Sequence, residues 1–298
     1  HALLDSISTT GRYTFTAKPG RDTVIEVEAV LFPRRKIEYL GIAPLTSMFR
    51  SAPWNPTYYD DYRPRVYDSE ALAILNGSGE RIFRPLINPP QTQFSVFVDK
   101  NPKGFGLIQR NRNFRDFQDL QVRYDLRPSL WVEPLGDWGE GSVDLVELPT
   151  KNEYFDNIVA FWRPKEPLEP GKSYDFAYRL HWCWDPPLRD NVAIVTYTKL
   201  AKASKPGFHA CHLDITAPTG FKFCDNLGAP CPNKRDHLKI TASEGRIGEI
   251  YFEPNPVLGG YRLSFDFWTE DIRETDLRCV VLSQDRPISE IWTYRWTA

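Results

Sequence analysis

Three stretches of the chain crowd carboxylates, arginines and aromatic rings together. The first, WNPTYYDDYRPRVYDSEALAI, carries Trp54, Tyr58, Tyr59, Asp60, Asp61, Tyr62, Arg63, Arg65, Tyr67 and Asp68. The second, NRNFRDFQDLQVRYDLRPSLWV, carries Arg112, Phe114, Arg115, Asp116, Asp119, Arg123, Tyr124, Asp125 and Arg127. The third, KNEYFDNIVAFW, holds Glu153, Tyr154, Asp156 and Trp162. Rings of this kind cover the apolar faces of a pyranose, and charged groups bond its hydroxyls. Glycoside hydrolysis then requires one carboxyl group kept protonated and one ionised. The bland use of the same residues is turn and capping aspartates around a core of tyrosine and tryptophan, and only perturbed, cleft-lining carboxylates stand out from it.

Other chemistries find little support. There is no G-x-S-x-G elbow, no phosphate-cradling glycine loop and no H-E-x-x-H pair. Apart from the terminal His1, only His181 falls in the loop-rich first part, inside an aromatic strand where a packed imidazole is expected. His209, Cys211, His212, Cys224 and Cys231 cluster later, but their spacing fits no standard zinc pairing. Free buried thiols and one optional disulfide, such as Cys211–Cys224, are the better reading. No metal and no cofactor are expected. Thirty-seven basic residues against 39 acidic ones argue against a nucleic-acid binder.

The elements that must position these groups read as strands. The chain has 298 residues, room for about two domains. It has 25 prolines, one methionine and 14% aromatics, which disfavours long helices and suits pleated sheets. Alternating segments are predicted at 13–17, 23–32, 81–83, 94–98, 105–108, 130–132, 142–148, 158–162 and 174–184. Two long loops, 49–68 and 111–128, are functional candidates by length. A break at CWDPPLRDN precedes seven further strands, the count of an immunoglobulin-like sandwich. The predicted domains are 1–190 and 191–298, the second without chemistry or metal. Within it, Trp292, Tyr294 and Trp296 are expected to share a core-facing side of the last strand. No apolar run is long enough for a transmembrane helix. Beginning at His1, the chain is expected to be a processed product or a fragment.

Several motifs in order carry a resemblance: PGRDTV at 19–24, GIAPLTSMF at 41–49, YRP at 62–64, DSEAL at 68–72, NPKGFGLIQR at 101–110, YDLRPSLWV at 124–132, GDWGEGSVDLVELPT at 136–150, DNIVAFW at 156–162 and PLEPGKSYDFAYRL at 167–180. On these the sequence resembles the OpgG/OpgD (MdoG) family of periplasmic glucan proteins, without the family's N-terminal portion. The resemblance implies an all-β architecture, a galactose-mutarotase-like β-sandwich followed by an immunoglobulin-like domain. It implies a periplasmic role in osmoregulated glucans with a β-1,2-linked backbone, and an inverting endo-β-1,2-glucanase activity in some relatives. It also implies Asp156 as general acid and Asp68 as general base. Burial against aromatics is expected to raise the Asp156 pKa. Asp60 and Asp61 are rivals for the base.

Arg84, Arg110, Arg112, Tyr124, Arg127, Trp138 and Trp162 are expected to line or support the glucan cleft. Expected partners are β-1,2-glucan, a membrane glucan synthase and a second copy of the chain. The competing readings are a glucan transglycosylase and a non-catalytic glucan-binding or synthase-scaffolding protein.

Overall fold

The computed structural model describes residues 1–56, 60–188, 191–216 and 237–298. Among the described residues the regular secondary structure is almost entirely β, as the proline and aromatic content predicts. In chain order the strands are β1 (Ala2–Asp5), β2 (Thr9–Lys18), β3 (Thr23–Pro33), β4 (Ile42–Ser47), β5 (Phe49–Ser51), β6 (Val66–Tyr67), β7 (Ala71–Leu75) and β8 (Arg81–Pro85). They continue as β9 (Gln93–Lys100), β10 (Gly104–Ile108), β11 (Ser129–Leu135), β12 (Glu140–Glu147), β13 (Ile158–Pro164) and β14 (Tyr174–Cys183). The remainder are β15 (Val195–Lys202), β16 (Phe208–Thr216), β17 (Leu238–Ala242), β18 (Ile247–Asn255), β19 (Gly260–Trp268), β20 (Glu274–Ser283), β21 (Arg286–Pro287) and β22 (Ile291–Thr297). One helical turn, α1 (Phe114–Phe117), and a 3-10 turn at Tyr124–Leu126 interrupt the second long loop. No described helix is long and apolar enough to cross a membrane.

The chain forms two compact units. The first comprises residues 1–50, 66–79 and 86–187; the second comprises 51–65, 80–85 and 188–298. The sequence reading cuts the chain once, near Asp190, a residue outside the described ones. The units instead interleave, because two early segments join the later strands. β22 pairs in parallel with β8, Ile291 opposite Ile82 and Trp292 opposite Phe83. The Tyr294 hydroxyl donates to the Trp54 carbonyl at 3.0 Å, and the Arg65 guanidinium lies over the Trp54 and Tyr197 rings.

In the first unit an antiparallel sheet runs β1-β2-β3-β14-β11-β10-β7, and a second runs β4-β13-β12-β9. Trp138 joins them: its ring contacts Trp162 of β13 and both Phe176 and Tyr178 of β14, with centroids 6.0 to 6.2 Å apart. Period-2 alternation puts Ile158, Ala160 and Trp162 on the inner face of β13, all fully buried. Two glycines make room for rings. A Cβ on Gly141 would strike the Trp162 indole, and one on Gly104 would strike Trp131. Such interdigitation is what close packing of a β core requires.

In the second unit one sheet runs β15-β16-β19-β18, and β8-β22-β20-β17 form the other. Phe265 of β19 meets Trp292 of β22 edge-on at 6.2 Å, so the sheets pack face to face. Trp292 stacks on Tyr294 at 5.8 Å, and Trp296 lies 5.1 Å from the His209 ring, the shared inner side expected for this strand. Cys183, Cys211 and Cys279 are free buried thiols, so Cys211 is unbridged. Cys224 and Cys231 lie outside the described residues, as do Tyr58 and Tyr59. The His209 and His212 rings each bond a hydroxyl, Thr269 and Ser264, at 2.8 Å.

Candidate active site

Asp68 and Asp156 come within electrostatic reach of one another because their segments are tied to the adjacent residues Met48 and Phe49. Asp68 directly follows β6, and its N–H donates to the Met48 carbonyl at 2.9 Å. Asn157, next to Asp156, bonds residue 49. Its Oδ1 accepts from the Phe49 N–H at 2.8 Å, and its Nδ2 donates to the Phe49 carbonyl at 3.0 Å and the Leu148 carbonyl at 2.9 Å. The Asn157 side chain is fully buried and satisfied by backbone alone, which makes it a fixed strut. Asn88 secures the other side of that loop, donating to Thr150 O at 2.8 Å and accepting from Thr150 N at 2.9 Å. Tyr67 stacks on Phe49 at 5.5 Å beneath.

Asp68 is partly buried, with 31% of its side chain exposed, and its Oδ1 lies 3.0 Å from Nε of Arg127. That contact is an ion pair without hydrogen-bond geometry. Burial pushes the Asp68 carboxyl above its ordinary value; Arg127 opposes this, while the Asp156 and Glu153 carboxylates add to the rise. Three carboxylates and one arginine therefore share a single electrostatic site. Asp61, the rival base, belongs to the second unit and forks onto Arg63, with contacts of 3.0 and 2.9 Å. Asp60 is exposed in the same segment.

Asp156 differs from expectation. It lies two residues before β13, at a strand start as predicted, but it is exposed rather than buried among aromatics. The inward position is taken by Asn157, so residues 154–156 project outward, and Tyr154 is 89% exposed. Tyr154 and Phe155 are consequently the open rings beside the carboxylate.

The structure divides the other expected cleft residues. Arg127 contacts Asp68, and Tyr124 lies buried under Arg127, its ring centre 5.9 Å from the guanidinium carbon. Arg112 bonds the Arg127 carbonyl and so stands behind it. Arg110 is half-buried just past β10. Trp138 and Trp162 are not sugar platforms: both are core, packed on each other, because the alternation of β13 turns Trp162 inward. Arg84 is likewise buried, in β8 of the second unit over the Tyr294 ring, because β8 pairs with β22. Glu70 was not singled out by the sequence reading. It is buried, accepts the Asn111 N–H at 3.1 Å, and faces Arg112. Its only sequence signal is its place in the DSEAL motif. His181, expected to be simply packed, bonds Glu133 at 2.8 Å across β14 and β11.

Comparison with known proteins bears on what such a carboxylate site serves. The profile of the family described as "Periplasmic glucan biosynthesis protein, MdoG" matches residues 1–296. The chain belongs to this family. It is 47% identical over 298 residues to "Glucans biosynthesis protein G" of Rhodopseudomonas palustris (strain BisA53), covering all of this chain and 57% of that protein. Proteins of the same description from Vibrio cholerae and Shewanella sp. (strain W3-18-1) are 43% and 42% identical, each with 53% of its length covered. The chain thus spans about half the length of the curated relatives it matches. The MdoG family's connection is with glucan biosynthesis in the periplasm.

Proposed function

We propose that this chain carries the acid–base centre of a periplasmic glucan-processing enzyme, an inverting endo-β-1,2-glucanase. The observation that carries the reading is the grouping of Asp68, Asp156, Glu153 and Arg127 in a member of a glucan family. In this reading the exposed Asp156 protonates the departing glycosidic oxygen. Bound sugar covers it, with Tyr154 and Phe155 beside it, and supplies the desolvation a general acid needs. Asp68 draws a proton from the attacking water, directly or through a sugar hydroxyl. Its raised pKa makes it a stronger base, and Arg127 keeps it ionised. Inversion requires space for that water between the two carboxyls.

The reading includes a galactose-mutarotase-like first sandwich, an immunoglobulin-like second unit, and a periplasmic location. It includes a membrane glucan synthase and a second copy of the chain as partners. The test is incubation of the full-length protein with linear β-1,2-glucan, followed by chromatography of the products. Shorter chains are expected. Longer chains would identify a transglycosylase, and binding without any change in length would identify a glucan-binding protein.

A further inference from the structure

Arg112 is spent on the protein itself. Its Nη2 donates to the Gln109 carbonyl at 2.9 Å and the Trp184 carbonyl at 3.2 Å, and its Nη1 donates to the Arg127 carbonyl. Its guanidinium carbon sits 4.0 Å from the centre of the Trp184 ring, a close cation–π contact. The same segments are tied again around it. Gln109 Nε2 donates to the Tyr124 carbonyl, Ser129 Oγ donates to the Trp184 carbonyl at 3.1 Å, and the Gln109 N–H donates to Ser129 Oγ at 3.1 Å. Residues 109–112, 124–129 and 184 are thereby pinned as one body. Arg127 emerges from this body and reaches Asp68 at 3.0 Å.

We propose that Arg112, stacked on Trp184, is a positioning residue that fixes Arg127 against Asp68 and so keeps the general base in place. The inference rests on the reading of Asp68 as the base. A lysine cannot replace Arg112, because one ammonium group offers no plane to the indole and no fork for three carbonyls. Asp68 faces Arg127, Asp156 and Glu153, and of these only Arg127 holds its carboxyl down. Arg112 faces Asp185, Glu70, Cys183 and Asp125. Loosening Arg127 therefore raises Asp68 toward its protonated form.

The test uses Arg112→Lys in the full-length protein. Misplacement of a catalytic contact by about 1 Å costs up to ~10² in rate. We expect kcat to fall at least about tenfold, with KM nearly unchanged and the acidic limb of the kcat–pH profile displaced to higher pH. Trp184→Phe, which retains a ring face, restores the limb that Trp184→Ala displaces. Independently of turnover, carbon NMR of the Asp68 carboxyl should show its titration moved upward in Arg112→Lys. An unmoved titration in Arg112→Lys overturns the proposal; if that variant does not fold, Trp184→Ala carries the same measurement. Absence of turnover in the wild type would instead refute the glucanase reading and leave the carboxyl titration as the test of the clamp.

Discussion

Asp68→Asn should stabilise the protein while abolishing its chemistry. The carboxyl is raised in the folded state by burial and by the Asp156 and Glu153 charges, against the pull of Arg127. The Arg127 contact, at 3.0 Å between side chains 44% and 31% exposed, is worth up to about 1 kcal/mol as a half-exposed pair. Because the net direction is upward, the unfavourable effects exceed that gain. The sign follows from linkage. A carboxyl raised in the folded state contributes stability below its unfolded value, near 3.8, and loses it as pH rises through the folded value. The neutral asparagine does not titrate, so the variant gains on wild type as pH rises. For units of this size, 1 kcal/mol corresponds to roughly 2–4 °C in Tm. Thermal melts of both proteins at pH 7 and near pH 4 would read this. We expect the variant to melt higher at pH 7, with the difference shrinking toward pH 4. A variant that melts lower at pH 7, or a difference independent of pH, would refute the electrostatic account of the site.

Three further outcomes are expected. Asp156→Asn should lower glucan turnover by at least ~10² without lowering the melting temperature, because the residue is exposed and its charge only adds to the repulsion on Asp68; kinetics paired with melts checks both halves. Trp162→Ala should cost about 3–5 kcal/mol, since its fully buried indole fills the space left by Gly141; denaturant titration reads the loss. Cys183, Cys211 and Cys279 should resist alkylation in the native protein at pH 8 and react once it is denatured. Burial pushes Cys183 and Cys279 up to about 12 and Cys211 well above its ordinary value, which leaves almost no thiolate.

The strands were legible wherever alternation exposes one face. Segments such as 94–98 and 158–162 sit inside β9 and β13, and all seven expected strands after residue 190 are present. β7 was not legible: Ala71–Leu75 is apolar throughout and nearly all buried, so it shows no period. The interleaving of the units was hidden for a different reason. It depends on β8 pairing with β22 across most of the chain, and nothing local in Arg81–Pro85 declares such a partner. The site divides in the same way. Asp68 and Asp156 stood out through their motifs, whereas the struts that bring them together, Asn157 on Phe49 and the Asp68 N–H on Met48, are long-range backbone bonds. Trp162 is legible as a core residue. Its spacing from Ile158 and Ala160 already assigns it to the inner face of β13.

The central claim is that Asp156 and Asp68 act as acid and base on a β-1,2-glucan. The most direct measurement is time-resolved proton NMR of the anomeric signals while the full-length protein acts on linear β-1,2-glucan, with Asp68→Asn and Asp156→Asn run in parallel. The account predicts that new reducing ends appear first as the α-anomer and that both variants fall silent. First appearance of the β-anomer, or undiminished signal from either variant, would contradict it.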